Sequence, residues 1–189
     1  MSRELVEAVA AKYGDVSSFA LWGPVGDRPK SGMDNIDVIY QRAHEAHARV
    51  VLVGLNVSAG IETPLSNFHG ENGLVYKLRA AATGTKAEGG YITDILKHWV
   101  EADSGKVKDV LRDKPELLAP QFEAFRSELE FVGADKGTTL VAMGGLVEDL
   151  LQECQTGLAV IKVPHYAARG TNEEYISTFR TALEKAGLV

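Results

Sequence analysis

The chain has 189 residues and a mass of 20.4 kDa, a size typical of one globular domain, and we expect a single domain over residues 1–189. Hydrophobic residues make up 45% of the sequence and charged residues 24%, which excludes disordered and fibrous proteins. The net charge of −6 argues against a protein that binds nucleic acid through bulk positive charge.

The negative charge is concentrated in one stretch. Between Pro115 and Glu153, eight acidic residues outnumber two basic ones, so that stretch carries −6 and the rest of the chain is neutral. A local basic surface elsewhere is compatible with this distribution, and an ordinary solvated surface of mixed charge is the alternative. The candidate members of a basic surface are Lys77, Arg79, Lys86, Lys97, Lys106 and Lys108.

Neither a membrane segment nor a metal site is indicated. No apolar stretch reaches the roughly 18 to 20 residues that cross a bilayer, and the first residues mix charged with apolar side chains, so we expect a cytoplasmic protein. The single Cys154 excludes a disulfide within the chain, a Cys-rich zinc site and a cluster held by several thiolates. His44 and His47 are interpreted as solvated or packed side chains, and we expect no metal and no other cofactor.

Residues 1–48 are predicted to form an extension of helices and loops packed on the domain. A first helix ends at Gly14, the segment SSFALW could form a short strand, and GPVGDRPKSGMDN is an irregular connection. A second helix leads towards Arg49. The apolar positions that indicate the two helices are Leu5, Val6, Val9 and Tyr13, then Ile36, Ile39, Tyr40 and Ala43.

Four apolar, β-branched runs predict buried strands: RVVLVGLNV from Arg49, GGYITDILK from Gly89, GTTLVAMGG from Gly137 and GLAVIKVPH from Gly157. Helical segments separate them: NGLVYKLRAAATG, PELLAPQFEAFRSELEFVG and an apolar stripe that ends at Cys154. A last helix is predicted after the capping box formed by Thr171 and Glu174. This alternation predicts a three-layer α/β/α sandwich around a central, mainly parallel four-stranded sheet.

Ligands of such sheets bind beyond the carboxyl ends of the strands, so the residues that follow each strand are the candidate site. Each also has a purely structural interpretation, such as a turn, a core ring or a helix start. Known phosphate, dinucleotide and hydrolase motifs are absent from the sequence, and Cys154 lies on an apolar helix face that favours a buried thiol over a nucleophile. The residues at the strand ends are Asn56, Ser58, Gly60, Thr93, Asp94, Gly144, Gly145, Pro164, His165, Tyr166 and Arg169.

The order and spacing of these segments resemble the uracil-DNA glycosylase superfamily, from about Arg49 to the C-terminus. VLVGLNVSAG is similar to the family's first motif, and NFHG to the loop whose aromatic ring stacks on the extruded base. GYITDILK looks like the strand that carries the base-reading side chain. TTLVAMGGLVEDLL is similar to the unit before the second motif, whose place VPHYAARG takes. Because a four-cysteine cluster needs more than Cys154, only the cluster-free branches, mismatch-specific or single-strand-selective, fit.

The resemblance implies a monofunctional glycosylase that excises uracil or a related deaminated base from DNA. It implies catalytic roles for Asn56 and His165 and base stacking for Phe68. Asp94 falls at the base-reading position, where an ionised carboxylate suits a base that presents an amine and a protonated one would be needed for uracil. The further substrate-binding candidates are Gly54, Ser58, Asn67, Tyr166 and Arg169, of which Tyr166 or Arg169 could fill the emptied base stack.

Two departures from the family's pattern leave other functions open. Val57 follows Asn56 where the family often has proline, and Tyr166 and Ala167 follow His165 where it has Pro-Ser. The alternatives are a non-catalytic protein that binds nucleic acid or a nucleotide, and an enzyme that acts on a free nucleoside or nucleotide. Under the leading hypothesis we expect a monomer whose partner is DNA, with a base flipped from a single or double strand.

Overall fold

A five-stranded β-sheet forms the centre of the protein. The computed structural model describes residues 1–23, 36–70 and 74–189. In chain order the strands are β1 (Ser17–Phe19), β2 (His47–Asn56), β3 (Gly90–Leu96), β4 (Thr139–Met143) and β5 (Ala159–Val163). Across the sheet their order is β1-β3-β2-β4-β5. Strands β2 to β5 pair in parallel, and β1 pairs with β3 in the antiparallel direction.

The predicted α/β class and the mainly parallel sheet are confirmed, but the predicted number of four strands is wrong. The fifth strand is β1, which lies at the edge of the sheet and belongs to the N-terminal region. It has three residues, all of them buried, so no alternation of polar and apolar residues distinguishes it in the sequence. The N-terminal region therefore contributes an edge strand as well as helices.

The helices in the described residues cover both faces of the sheet. The connection from β2 to β3 and the connection from β4 to β5 cross the sheet in opposite directions, so right-handed crossovers place their helices on opposite faces. The helices are α1 (Arg3–Tyr13), α2 (Asp37–Gln41), α3 (Val75–Ala82), α4 (Ser104–Asp113), α5 (Leu118–Phe131), α6 (Gly145–Cys154) and α7 (Asn172–Lys185).

Contacts between helices agree with this arrangement. The guanidinium of Arg180 in α7 donates to the backbone oxygens of Ala80 and Thr83 at the end of α3, at 3.1 and 2.9 Å. In α5, Arg126 donates to the backbone oxygen of Cys154 in α6 at 2.9 Å. Thus α3 packs beside α7, and α5 packs beside α6.

The helix ends follow local rules that the sequence carries. The capping box predicted at the start of α7 is present: Thr171 Oγ1 accepts from the backbone N–H of Glu174, whose carboxylate accepts from Thr171 N–H. In α5, Pro120 lies in the first turn, where a missing N–H breaks no helical hydrogen bond. The second predicted helix is only the five residues of α2, followed by a short 3₁₀ helix over Ala43–Glu45.

A buried ionic network joins α5 to β3 on the face of the sheet that α5 covers. Lys97 and Glu128 form a salt bridge in which the side chains are 5% and 0% exposed. Glu128 Oε1 also accepts hydrogen bonds from the hydroxyls of Tyr91, at 2.6 Å, and Thr93, at 2.7 Å. Lys97 donates in addition to Thr93 Oγ1 at 2.7 Å. The acidic side chain is therefore satisfied inside the core rather than solvated.

Half of the six cations proposed for a basic surface are buried in the structure. Lys77, Arg79 and Lys97 are buried, at 5%, 9% and 6% exposure. Of the exposed lysines, Lys86 donates to the backbone oxygen of Gly187 at 2.7 Å and Lys106 lies 3.9 Å from the carboxylate of Glu101. Burial thus removes half of the candidates. In the ranges that the structure describes, no helix is long and apolar enough to cross a membrane.

Candidate functional site

A cavity of about 600 Å³ opens at the carboxyl ends of the parallel strands. Nine residues were predicted from the sequence to bind substrate or catalyse a reaction, and eight of them line this cavity. The ninth, Arg169, is exposed and lines a smaller neighbouring cavity with Glu174. The eight that converge are Gly54, Asn56, Ser58, Asn67, Phe68, Asp94, His165 and Tyr166.

Asn56 is held at the end of β2 by the backbone of the loop after β3. Its Nδ2 lies 3.0 Å from the backbone oxygen of Val57, 3.1 Å from that of Trp99 and 2.7 Å from that of Glu101. Because three carbonyl oxygens surround Nδ2, the orientation of the amide is fixed. Oδ1 is therefore the side-chain atom left to accept a hydrogen bond from a ligand or a water molecule in the cavity.

Gly54 and Asp94 form the floor of the cavity. They are paired in the register of β2 with β3, so their side-chain positions project from the same face of the sheet. A Cβ atom on Gly54 would lie 2.2 Å from Asp94 Oδ1 and 2.9 Å from Phe68 Cζ. The close approach of the carboxyl group and the ring to the strand thus depends on glycine at position 54.

The loop that carries Asn67 and Phe68 is held in place by hydrogen bonds to β3 and to the N-terminal region. Asn67 Nδ2 donates to Asp94 Oδ2 at 2.8 Å and to the backbone oxygen of Val16 at 3.0 Å. Trp22 Nε1 donates to the backbone oxygen of Phe68 at 3.2 Å. Phe68 has a φ of 62°, a conformation that costs about 1 to 3 kcal/mol in a residue other than glycine. The surrounding contacts hold its ring against the cavity despite this cost.

His165 and Tyr166 form the opposite wall. The backbone N–H of Ala167 donates to His165 Nδ1 at 3.1 Å, so the neutral imidazole carries its proton on Nε2. Burial lowers the pKa of His165 from its usual value, which favours this neutral form. The ring of Tyr166 stacks on that of His165 at 4.3 Å and meets the edge of Phe68 at 6.2 Å. His165 therefore offers an N–H donor, not a cation, at neutral pH.

One wall of the cavity was missed by the sequence analysis. It is the start of α4, where Ser104 and Gly105 line the cavity together with Lys108. The helix contains few apolar residues, of which Val107 and Leu111 are buried, so no run of apolar residues indicated it although the apolar positions share one face. The detectable signal was Asp103, whose carboxylate accepts from the backbone N–H of Gly105 at 2.8 Å as an N-cap.

The start of α6 supplies another wall, which includes the candidates Gly144 and Gly145. Gly144 has a φ of 115°, a conformation that favours glycine, and no side chain caps the helix there. In the described part of the chain, no group of three His, Cys, Asp or Glu side chains could hold a metal ion. The groups that line the cavity are the amide of Asn56, the carboxyl group of Asp94, the aromatic face of Phe68 and the neutral imidazole of His165.

Asp94 is the most perturbed acid in the cavity. Its side chain is 1% exposed, and burial raises its pKa from 3.8 to about 7. The hydrogen bond from Asn67 and the positive charge of Lys97 oppose this rise, and the negative charge of Glu128 adds to it. Near neutral pH the carboxyl group is thus divided between its neutral and ionised forms.

This pKa predicts a change of stability with pH that Asp94→Asn should remove. Because the folded protein holds the proton more tightly than the unfolded chain, the stabilisation is complete below about pH 4 and is lost as the pH rises to about 7. The difference in unfolding free energy between Asp94→Asn and the wild type should grow over that interval and then level off. Urea unfolding at a series of pH values measures it, with Asp149→Asn at an exposed position as the control. A difference independent of pH would contradict the raised pKa.

The chain has been compared with protein-family models, with curated proteins and with solved structures. None of the three comparisons finds a match. The geometry of the cavity and the order of the segments that surround it are the observations that bear on function.

Proposed function

We propose that the chain is a monofunctional DNA glycosylase that hydrolyses the N-glycosidic bond of uracil or a related deaminated base. We place it as a divergent relative of the cluster-free branches of the uracil-DNA glycosylase superfamily. The observation that supports this most is the convergence of Asn56, Asp94 and His165, from the ends of three different strands, on one cavity with the ring of Phe68. Each of these groups has a task in removing a base.

In this proposal the cavity receives a nucleotide flipped out of the DNA. Extrusion costs a few kcal/mol of stacking and pairing energy, which contacts in the pocket must repay. Phe68 stacks on the base, and Asp94 on the floor contacts its polar edge. Tyr166 is committed to the wall through its contacts with His165 and Phe68. Arg169, exposed and outside the cavity, is therefore the better candidate to fill the gap left in the base stack.

The chemical step breaks the bond between C1′ of the sugar and the base nitrogen, and the bonding electrons leave with the base. Asn56 Oδ1 accepts a hydrogen bond from the attacking water, which adds to C1′ and loses one proton to solvent. The departing base anion takes up one proton from solvent, so that free base and an abasic sugar result. His165 Nε2–H donates to the base as it gains negative charge, which lowers the energy of the transition state. A neutral imidazole suits this role because it stabilises the anion without being consumed as an acid.

Replacing Asn56 by alanine tests the assigned chemistry. The variant should excise uracil from a labelled single-stranded or duplex oligonucleotide about 100-fold more slowly than the wild type in single turnover, because the water loses its acceptor. Alkali cleavage of the abasic product gives the readout. Since the substitution also removes the hydrogen bonds of Nδ2, its folding is checked by circular dichroism and thermal unfolding.

Asn172→Ala is the matched control for that experiment. Asn172 lies at the start of α7 and accepts from the hydroxyl of Tyr76 at 3.0 Å, outside the cavity. It should excise uracil at the wild-type rate. Equal rates for the wild type and a folded Asn56→Ala would remove Asn56 from the mechanism.

The distribution of charge favours a second candidate, an enzyme that acts on a free nucleoside or nucleotide. Three of the six cations that could have bound DNA phosphates are buried, and the cavity is large enough for a small ligand. Affinity for an uncharged nucleoside should change little between about 50 and 200 mM salt, whereas affinity for an oligonucleotide should fall steeply. Release of uracil from free uridine or deoxyuridine, with none from DNA, would select this candidate.

A further inference from the structure

The two oxygens of Asp94 have different surroundings. Oδ2 accepts from Asn67 Nδ2 at 2.8 Å, and the same Nδ2 donates to the backbone oxygen of Val16 at 3.0 Å, which fixes how the amide is turned. An oxygen that accepts this hydrogen bond cannot also point a proton at Asn67. A carbonyl oxygen is a stronger acceptor than a hydroxyl oxygen, so the neutral form of Asp94 keeps Oδ2 as the carbonyl and carries its proton on Oδ1, which borders Gly54 on the floor of the cavity.

Among residues 1–23, 36–70 and 74–189, no cation forms a salt bridge with the carboxylate of Asp94. The ammonium of Lys97 is held by Glu128 and Thr93 and by the backbone oxygen of Asp94, and its charge lowers the pKa of Asp94 by less than burial raises it. Burial, together with the nearby charge of Asp94, raises the pKa of the Tyr166 hydroxyl to about 12. The titratable groups around Asp94 are Lys97 after β3, Glu128 on α5, His165 and Tyr166 after β5, and Glu101 and Lys108 across the cavity.

We propose that Asp94 reads a base through a neutral carboxyl group whose Oδ1–H donates to a carbonyl oxygen of the base, so that the cavity selects keto bases over amino bases. The inference rests on the proposed function only in taking the ligand to be a nucleobase. It makes Asp94 a specificity-determining residue whose preference reverses when its proton is lost.

Deamination is the chemical change that such a reader detects. It replaces an exocyclic amino group with a carbonyl oxygen, as in cytosine to uracil or adenine to hypoxanthine. A neutral Asp94 donates a hydrogen bond to the carbonyl oxygen of a keto base. In an amino base, the N–H hydrogens would face the hydroxyl hydrogen of Asp94, and no hydrogen bond would form. In a buried site, a polar group left without a hydrogen-bond partner disfavours the wrong base far more strongly than a missing methyl group does. An ionised Asp94, which only accepts, would favour the amino base instead.

Binding of free uracil and free cytosine to the full chain tests the proposal without requiring catalysis. Titration calorimetry at about pH 6 and about pH 8.5 brackets the pKa of Asp94, which burial raises to about 7. The neutral fraction falls from about 0.9 to about 0.03, so the affinity for uracil should fall about 30-fold and the affinity for cytosine should rise. Asp149→Asn, at an exposed position of α6, should behave as the wild type.

Asp94→Asn decides whether Asp94 is the group that titrates. An amide keeps both a donor and an acceptor at every pH, so uracil affinity in this variant should not change between the two conditions. A change that persists in Asp94→Asn, as a titration of His165 would produce, overturns the proposal. So does a wild-type uracil affinity that differs less than threefold, or the absence of binding by either base.

The outcomes also separate this inference from the proposed function. Binding that follows the expected pH dependence, without excision from any oligonucleotide, would overturn the glycosylase and leave the reading of the base intact. Excision of uracil from DNA, together with a uracil affinity that does not change with pH, would support the glycosylase and overturn the role of Asp94 as the reader of the base.

Discussion

Gly54→Ala is expected to lower the single-turnover rate of base excision by about 100-fold to 1,000-fold while the protein stays folded. The added Cβ would lie 2.2 Å from Asp94 Oδ1 and 2.9 Å from Phe68 Cζ, closer than such atoms approach in proteins. Asp94 is buried and bound to Asn67, and Phe68 is 8% exposed and packs its ring against Tyr166, so neither neighbour can move freely. The methyl group displaces both and occupies the floor of the base pocket, and misplacement by about 1 Å costs about 100-fold in rate.

Gly60→Ala is the matched control for this effect. Gly60 follows the same strand, β2, but a Cβ there meets no atom within 4 Å, and the substitution should leave excision unchanged. Uracil affinity and excision rate are measured for both variants, with circular dichroism to verify folding. If Gly54→Ala excised uracil at the wild-type rate, the base would bind elsewhere than between Asp94 and Phe68.

Lys97→Met is expected to cost about 3 to 5 kcal/mol of unfolding free energy, a large share of the stability of a domain of this size. It removes the cation that balances the charge of Glu128, a side chain that is 0% exposed. The hydroxyls of Tyr91 and Thr93 still donate to the carboxylate, but they supply no opposite charge. The loss is measured by urea unfolding, from the change in the urea concentration at the midpoint while the slope of unfolding free energy against urea concentration stays constant.

Two comparisons isolate the buried charge as the cause. Lys97→Met combined with Glu128→Leu removes both charges and should recover most of the lost stability. Lys162→Met breaks an ion pair with Glu148 at 2.6 Å between side chains that are 52% and 31% exposed, and should cost less than about 1 kcal/mol. Equal losses from Lys97→Met and Lys162→Met would show that the Lys97 pair contributes no more than a surface pair.

The parts of the fold that depend on local patterns were predictable. Continuous β-branched runs mark β2, β3 and β4, and the capping box marks the start of α7. Because parallel strands end at the same edge of a sheet, the sequence alone predicts that the side chains that follow them lie together. The grouping holds for Asn56, Asp94 and His165, and fails for Arg169, which lies farther along the loop after β5.

The rest depends on tertiary contacts that no local pattern encodes. Lys97 was placed among candidate surface cations, yet its partner Glu128 is distant in sequence and meets it only when α5 packs on β3. The same holds for the protonation of Asp94, which is set by burial and by Asn67. The segment SSFALW was predicted only as a possible short strand, because the three residues of β1 are too few to place it in the sheet, and α4 was not predicted because it contains few apolar residues.

The most direct test of the base-removal account is the release of free base from DNA by the wild-type protein. Single-stranded and duplex oligonucleotides that carry one uracil, hypoxanthine or xanthine are incubated with the full chain, and mass spectrometry detects the free base and the abasic strand. The account predicts release of at least one of these bases, with an intact phosphodiester backbone and no added metal. A folded protein that releases none of them from any oligonucleotide would contradict it.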